Sequence, residues 1–340
     1  MASTISYRPR RAPALLAAGL AAAALVLAAC TGPSAESAPT SSGGGGDTAA
    51  IDPDAPLNFA VITHGTEGDA FWNVVKNGAE AAGKDLDVNV EYVSNGDPGA
   101  QAKLIDNAVA SGKTGIVVSM ANPDALKASV QNAVRKGIPV VTINSGGADS
   151  AEFGAIGHVG QDEKIAGRAA GERLKASGKK KVLCVIHEAG NAGLNERCDG
   201  AREGFGGDVE NLQVDISNPT DVEARIKGAL QTDPAIDAVL TLNSQVADRA
   251  VTAAAGAHSA AEVATFDLND QVVAAVRAGT VVFAVDQQQY QQGYLPIVML
   301  KLYRQNGNTL GGGQPVLTGP GFVDKSNVDI VGPYTERGTR

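Results

Sequence analysis

Aromatic residues are scarce in this chain: they make up 4% of it, with Trp72 the single Trp. Phe71 and Trp72 stand side by side next to polar loop residues, which makes the pair a candidate ligand contact. Positive charge is also in short supply. Lys and Arg number 28 against 37 Asp and Glu, a net charge of −9, which argues against binding to nucleic acid, where clustered cations are needed. The one basic cluster, Lys179-Lys180-Lys181, reads as a solvated turn before a strand. His64, His158, His187 and His258 lack ligand spacing, so no metal is expected. No G-x-G-x-x-G follows the first apolar strand, and no Walker-type loop or G-x-S-x-G elbow is present. His64 would be the best general base, yet no Ser or Cys nucleophile is paired with it. It reads instead as a structural or ligand-bonding His. An enzyme is therefore not expected, nor is a cofactor. After the first thirty residues no apolar run reaches the roughly 20 residues that a membrane span needs.

Those first thirty residues have their own grammar. Arg8, Arg10 and Arg11 precede an uncharged stretch from Ala14 to Ala29, and small residues end it. This is the order of a secretory signal, to be set aside from the fold. Leu27-Ala28-Ala29-Cys30 resembles the lipobox of bacterial lipoproteins, which implies cleavage before Cys30 and lipidation of its thiol. Residues 1–29 are thus expected to be a signal peptide, and the mature protein to be extracytoplasmic and anchored to the cell membrane. Residues 30–56 begin with Cys30 and run through Gly43-Gly44-Gly45-Gly46. The segment has little bulky apolar content to offset ordering entropy and is expected to be a flexible tether.

With Cys30 assigned to lipid, Cys184 and Cys198 remain. An even pair in an oxidising compartment predicts a disulfide, two reduced buried thiols being the alternative.

From Leu57 the pattern alternates short β-rich runs with longer Ala-rich stretches, as repeated βαβ units and parallel sheets do. Phe59–Ile62, Val88–Val93, Gly115–Ser119 and Pro139–Ile143 read as the first four strands. Their near-continuous apolar character suits sheets covered on both faces. A second series follows, with strands at Val182–Ile186, Leu212–Ile216, Ala238–Leu242, Glu262–Phe266 and Val281–Val285. Two α/β lobes of similar size are the economical solution, although no sequence repeat links them.

Ligands of open α/β sheets gather at the carboxyl ends of the strands. There the first series offers His64, Asp69, Phe71, Trp72, Asn144 and Ser145. The second offers Glu188, Asn191, Arg197, Asn243, Asp267, Asp286 and Gln287. Carboxylates, amides and one guanidinium are the donors and acceptors that a polyhydroxylated ligand requires. Asp221 and Asp270, at helix starts, are equally explained as caps.

These residues resemble the type I periplasmic binding proteins, the sugar-binding group typified by ribose- and galactose-binding proteins, over about Leu57 to Pro333. Asp69-Ala70-Phe71-Trp72 stands where ribose-type members carry Asn-Pro-Phe-Phe. Ile138 to Asn144 matches the G-I-P-V-I-T-x-D strand, with Asn144 in place of Asp. Gly160-Gln161-Asp162 to Gly167, Arg197-x-x-Gly200, Asn243, Asp267 and Val285-Asp286-Gln287-Gln288 match further elements. The resemblance implies two doubly wound parallel-sheet lobes joined by a three-strand hinge. One lobe would span 57–158 plus 287–318, the other 159–286 plus 319–334. It implies a monosaccharide or polyol bound between them and passed to an ABC permease in the membrane, by a protein acting as a monomer. Phe71 and Trp72 would sandwich the ligand; Asp69, Asn144, Arg197, Asn243, Asp267 and Gln287 would take its hydroxyls, with His64, Asn191 and Asp286 as further ligand-binding candidates. Asn144-Ser145 departs from the family's Asp-Arg pair, which turns the expectation from an ordinary aldohexose or ribose toward a polyol, deoxysugar or differently held pentose. A nucleoside or signalling-molecule receptor of the same fold is the alternative.

Overall fold

The computed structural model describes residues 56–66 and 68–340; the readings of the leader, of Cys30 and of the tether up to 55 lie outside the described residues. The chain opens with β1 (Asn58–Thr63), α1 (Ala70–Leu86), β2 (Asn89–Ser94) and α2 (Pro98–Ala110). It continues through β3 (Gly115–Ser119), α3 (Pro123–Arg135), β4 (Val140–Ile143), α4 (Gly147–Ser150) and β5 (Gly157–Gly160). The second series runs α5 (Glu163–Ala176), β6 (Lys181–Ile186), α6 (Ala192–Phe205), β7 (Asp208–Gln213) and α7 (Pro219–Thr232). Next come β8 (Ala238–Thr241), α8 (Ser244–Gly256), β9 (Glu262–Phe266), α9 (Asp270–Ala278) and β10 (Val281–Asp286). The chain ends with α10 (Gln289–Asn306), β11 (Val316–Leu317), β12 (Gly321–Val323) and α11 (Val328–Thr335).

The strands form two six-stranded sheets, ordered β11-β5-β4-β3-β1-β2 and β12-β10-β9-β8-β6-β7. Strand by strand the two orders correspond, so the lobes repeat a topology that their sequences do not share. Every residue of β3, β4 and β8 is buried, because helices cover both faces of each sheet. The chain passes between sheets three times: after β5, after β10, and between β11 and β12. The last passage explains an exception to parallel pairing. The third crossing enters the second lobe at the hinge, beside the end of β10, so β12 must run back along it. Asp286 accordingly pairs with Gly321 and Ala284 with Val323, antiparallel.

Two readings of the sequence are corrected here. The strand expected at Leu212–Ile216 is β7 at Asp208–Gln213, paired with β6 from Lys181↔Asp208 to Ile186↔Gln213. As an edge strand it exposes much of its surface, so its residues carry no apolar signature. Val214 and Ile216, which mimic one, follow it and still donate to the carbonyls of Ile186 (2.9 Å) and His187 (3.2 Å). Nor do Asp221 and Asp270 cap their helices. Asn218 and Asn269 do, and the two aspartates stand in the first turns of α7 and α9.

The packing of α5 against α6 matters for the site. A Cβ on Gly167 would lie 2.1 Å from the carbonyl of Arg197, and one on Gly200 2.1 Å from that of Lys164. Only glycine permits backbones this close. A disulfide between Cys184 of β6 and Cys198 of α6 ties the same helix to the sheet.

Candidate functional site

The strand ends of the two sheets converge on a small cavity between the lobes, where side chains following β1, β4, β6, β8, β9 and β10 meet. Three helices begin there, and their caps are wall residues. Asp69 accepts from the amides of Phe71 (2.9 Å) and Trp72 (3.4 Å), Asn191 from Leu194 (3.3 Å), and Asn243 from Gln245 (2.7 Å). Capping and lining are thus one role for these residues. Asn144 and Asp267, at the corresponding ends of β4 and β9, both hold left-handed backbone, with φ 58° and 68°. Non-glycine residues there cost about 1–3 kcal/mol, a strain that gathers at functional positions, and Asn and Asp bear it best.

Arg197 is the charged centre. Its Nε donates to Glu163 at 2.5 Å and an Nη to the other carboxylate oxygen at 3.0 Å, a bidentate grip with both partners buried. Further bonds reach the Leu242 carbonyl (3.2 Å) and Gln287 (3.3 Å), and the guanidinium lies 4.7 Å over the ring of Phe266. Gln287 also donates to Asp267 at 2.6 Å and accepts from Asn144 at 3.2 Å. Gln292 of α10 accepts from Asn144 at 3.4 Å and donates to Gln287. Guanidinium, carboxylate and amides therefore form one network, which fixes each polar group before a ligand arrives.

Burial dominates the titration of the two aspartates. It lifts Asp267 to about 7 in spite of Arg197, and Asp69 to about 6, where Glu188 adds to the effect. Burial holds His187 down at about 4 and also lowers His64. On Glu188 burial acts upward, but the neighbouring imidazoles, Asn191 and Arg197 together bring it below the usual range. The lobes touch in the cavity wall and beside it. Ala192 N–H donates to the Ala121 carbonyl (3.0 Å), Ser145 Oγ to Asn191 (3.3 Å), and Ala70 N–H to Gln245 (3.3 Å).

The structure brings together His64, Asp69, Phe71, Trp72, Asn144, Asn191, Arg197, Asn243, Asp267 and Gln287. Asp286 is a correction: it does not line the cavity. It accepts from the Gln288 amide at 2.9 Å and pairs with Arg340, which makes it a hinge residue. The aromatic sandwich is another. The rings of Phe71 and Trp72 meet edge-to-face, 4.9 Å apart at 82°. Rings in contact with each other cannot enclose both faces of a ligand, so they form one wall, with Leu194 and Leu242 contributed by the other lobe. His187, Glu163, Gln292 and the two leucines were missed. His187 had a signal, since it follows β6 as His64 follows β1. Glu163 had none, because its partner lies 34 residues away.

Residues 59–308 match the family model described as periplasmic binding protein domain. A carbohydrate transporter from Acidothermus cellulolyticus 11B, solved in complex with myo-inositol, is 43% identical. The similarity covers 84% of this chain and all of that one, with a TM-score of 0.83. The ribose import binding protein of Haemophilus influenzae is 26% identical over 237 residues, 67% of this chain and 79% of that protein. The xylose/arabinose-binding protein of Sulfolobus acidocaldarius is 25% identical over 273 residues, 73% of this chain and 66% of that one.

Proposed function

The chain belongs to the periplasmic binding protein family, and from that premise we propose that it is the lipid-anchored, extracytoplasmic binding protein of an ABC importer, closing on a cyclic polyol. One observation carries the ligand class: the Asn144-Ser145 wall holds no charge, where the resemblance to ribose- and galactose-type members implies an Asp-Arg pair. Asn144 is tied to Gln287 and Gln292, and Ser145 to Asn144 and Asn191, so this wall is neutral. A cyclic polyol offers a hydroxyl on every carbon and no ring oxygen. Each hydroxyl both donates and accepts, which suits a wall of amides beside the carboxylates of Asp69 and Asp267. The Phe71–Trp72 wall takes the ring's C–H face. The inositol-bound relative, at 43% identity, supports the same class.

The remaining parts follow from sequence and family. Leu27-Ala28-Ala29-Cys30 supports export and a lipid anchor, each buried methylene contributing about 0.8 kcal/mol. The tether would let a monomer reach a membrane permease. Segments 57–158 plus 287–318 and 159–286 plus 319–334 would move as two bodies about the three crossings, as hinge-closing proteins do. The family's members bind solutes for transport rather than transform them.

A thermal-shift panel of myo-inositol, ribose, xylose, galactose and adenosine tests the reading. The expected result is a rise in Tm with myo-inositol larger than with any aldose. A rise with adenosine alone would transfer the site to the nucleosides and overturn the proposal.

A further inference from the structure

A second cavity, of about 530 Å³, opens between the lobes directly outside the polyol site. Its inner wall is shared with that site: His64, His187, Glu188 and Asn191 line both. Farther out, its walls are Pro98 and Asn122 of one lobe and Asp215 and Ile216 of the other. One layer of side chains therefore separates the two spaces. His64 Nε2 and Glu188 Oε2 stop 3.8 Å apart, beyond hydrogen-bonding reach. Nδ1 of the buried His187 has no partner among the described residues. Buried polar atoms are seldom left so, and this one belongs to a residue that lines both cavities.

We propose that this groove is a second subsite, which holds a neutral sugar ring attached to the polyol, so that the protein takes polyol glycosides as well as the free polyol. The inference rests on the reading of the inner cavity as a polyol site. The groove lies within the roughly 300–1,000 Å³ of small-molecule pockets. Its charge selects the substituent. Glu188 stands on the inner wall and Asp215 on the outer one. The cation that lines it among the described residues, Arg225, is held by Asp221 at 2.9 Å. A phosphate ester would meet carboxylates and no free cation. A neutral ring finds acceptors for its hydroxyls, and Pro98 and Ile216 for its C–H surface.

The test is calorimetry on the full mature chain with myo-inositol, with myo-inositol galactosides linked at different hydroxyls, and with myo-inositol phosphate. Ala189→Trp and Ser217→Trp place an indole in the groove from residues that line it alone. At least one galactoside is expected to bind within tenfold of myo-inositol, and the phosphate at least a hundredfold more weakly. Each Trp variant should weaken that galactoside tenfold or more and leave myo-inositol within twofold. If myo-inositol binds while no galactoside does, or if both variants leave the galactoside unchanged, the subsite is overturned and the polyol site stands. If neither myo-inositol nor any galactoside binds, both readings fall.

Discussion

Arg197 and Glu163 illustrate how a binding group is prepared. A buried charge is tolerated only when paired, and the bidentate geometry also fixes the plane of the guanidinium. Removing the arginine strands the carboxylate. Arg197→Ala is therefore expected to cost about 3–5 kcal/mol in stability and to lower affinity by several kcal/mol. Arg197→Ala with Glu163→Ala should recover much of the stability and none of the affinity. Denaturant unfolding beside calorimetry separates the two, and equal stability of the single and double variants would contradict the pairing argument. Asp267 supplies a pH signature. Its value of about 7 exceeds the unfolded 3.8 because burial disfavours the charge. Its contribution to stability is therefore complete below pH 3.8 and lost as pH rises through about 7. Wild type should lose stability relative to Asp267→Asn between pH 4 and pH 8, as unfolding series of both proteins would show. A hydroxyl that donates to this carboxylate favours its charged form. Binding should accordingly release protons near pH 6.5 and weaken as pH falls to 5, which titrations in phosphate and Tris buffers detect. Proton uptake would contradict the assigned donor and acceptor roles.

At the scale of elements, α6 carries Asn191 and Arg197 to the cavity, and two features hold it there. The Cys184–Cys198 disulfide closes a short loop, its ends 14 positions apart in sequence; such a loop contributes about 3 kcal/mol in the chain-entropy model. Its removal should reduce stability by that amount and leave binding within a few fold, because α5 still supports the helix. Gly200→Ala acts differently, since its Cβ would strike the Lys164 backbone at 2.1 Å. Forcing α5 and α6 apart is expected to cost about 1–3 kcal/mol and to weaken binding as well, through Arg197; a Tm and affinity measured on one preparation compare both effects. Sequence legibility divides along the same physical line. Strands buried on both faces, such as β3 and β10, announce themselves because burial requires a near-continuous apolar run. The edge strand β7 and the short hinge strands β5 and β12 do not, because pairing rather than burial defines them. The helix α11 contains Gly332-Pro333, a pair that reads as a turn. Within the site, residues at strand ends were legible from topology. Glu163 and Gln292 were not, because their roles exist only through partners far along the chain. Asp286 was misassigned because adjacency to Gln287 says nothing about which side of the hinge a side chain faces.

The described residues form a pair of matched lobes with contacts grouped around the cavity: Ser145 to Asn191 in its wall, Ala192 to Ala121 and Ala70 to Gln245 beside it. A ligand that fills this space adds bonds to both sides at once and so favours closure. Binding to the folded state alone should raise stability by about 2.7 kcal/mol at a hundredfold excess over Kd. The same construction explains why the pocket is polar yet nearly dry of charge on its Asn144-Ser145 wall, and why the lobes need not resemble each other in sequence. The most direct measurement is a calorimetric titration of the protein with myo-inositol and, separately, with ribose and galactose. The account predicts one saturable site per chain for myo-inositol and affinities at least tenfold weaker for both aldoses. Saturable binding of an aldose with no heat from myo-inositol would contradict it.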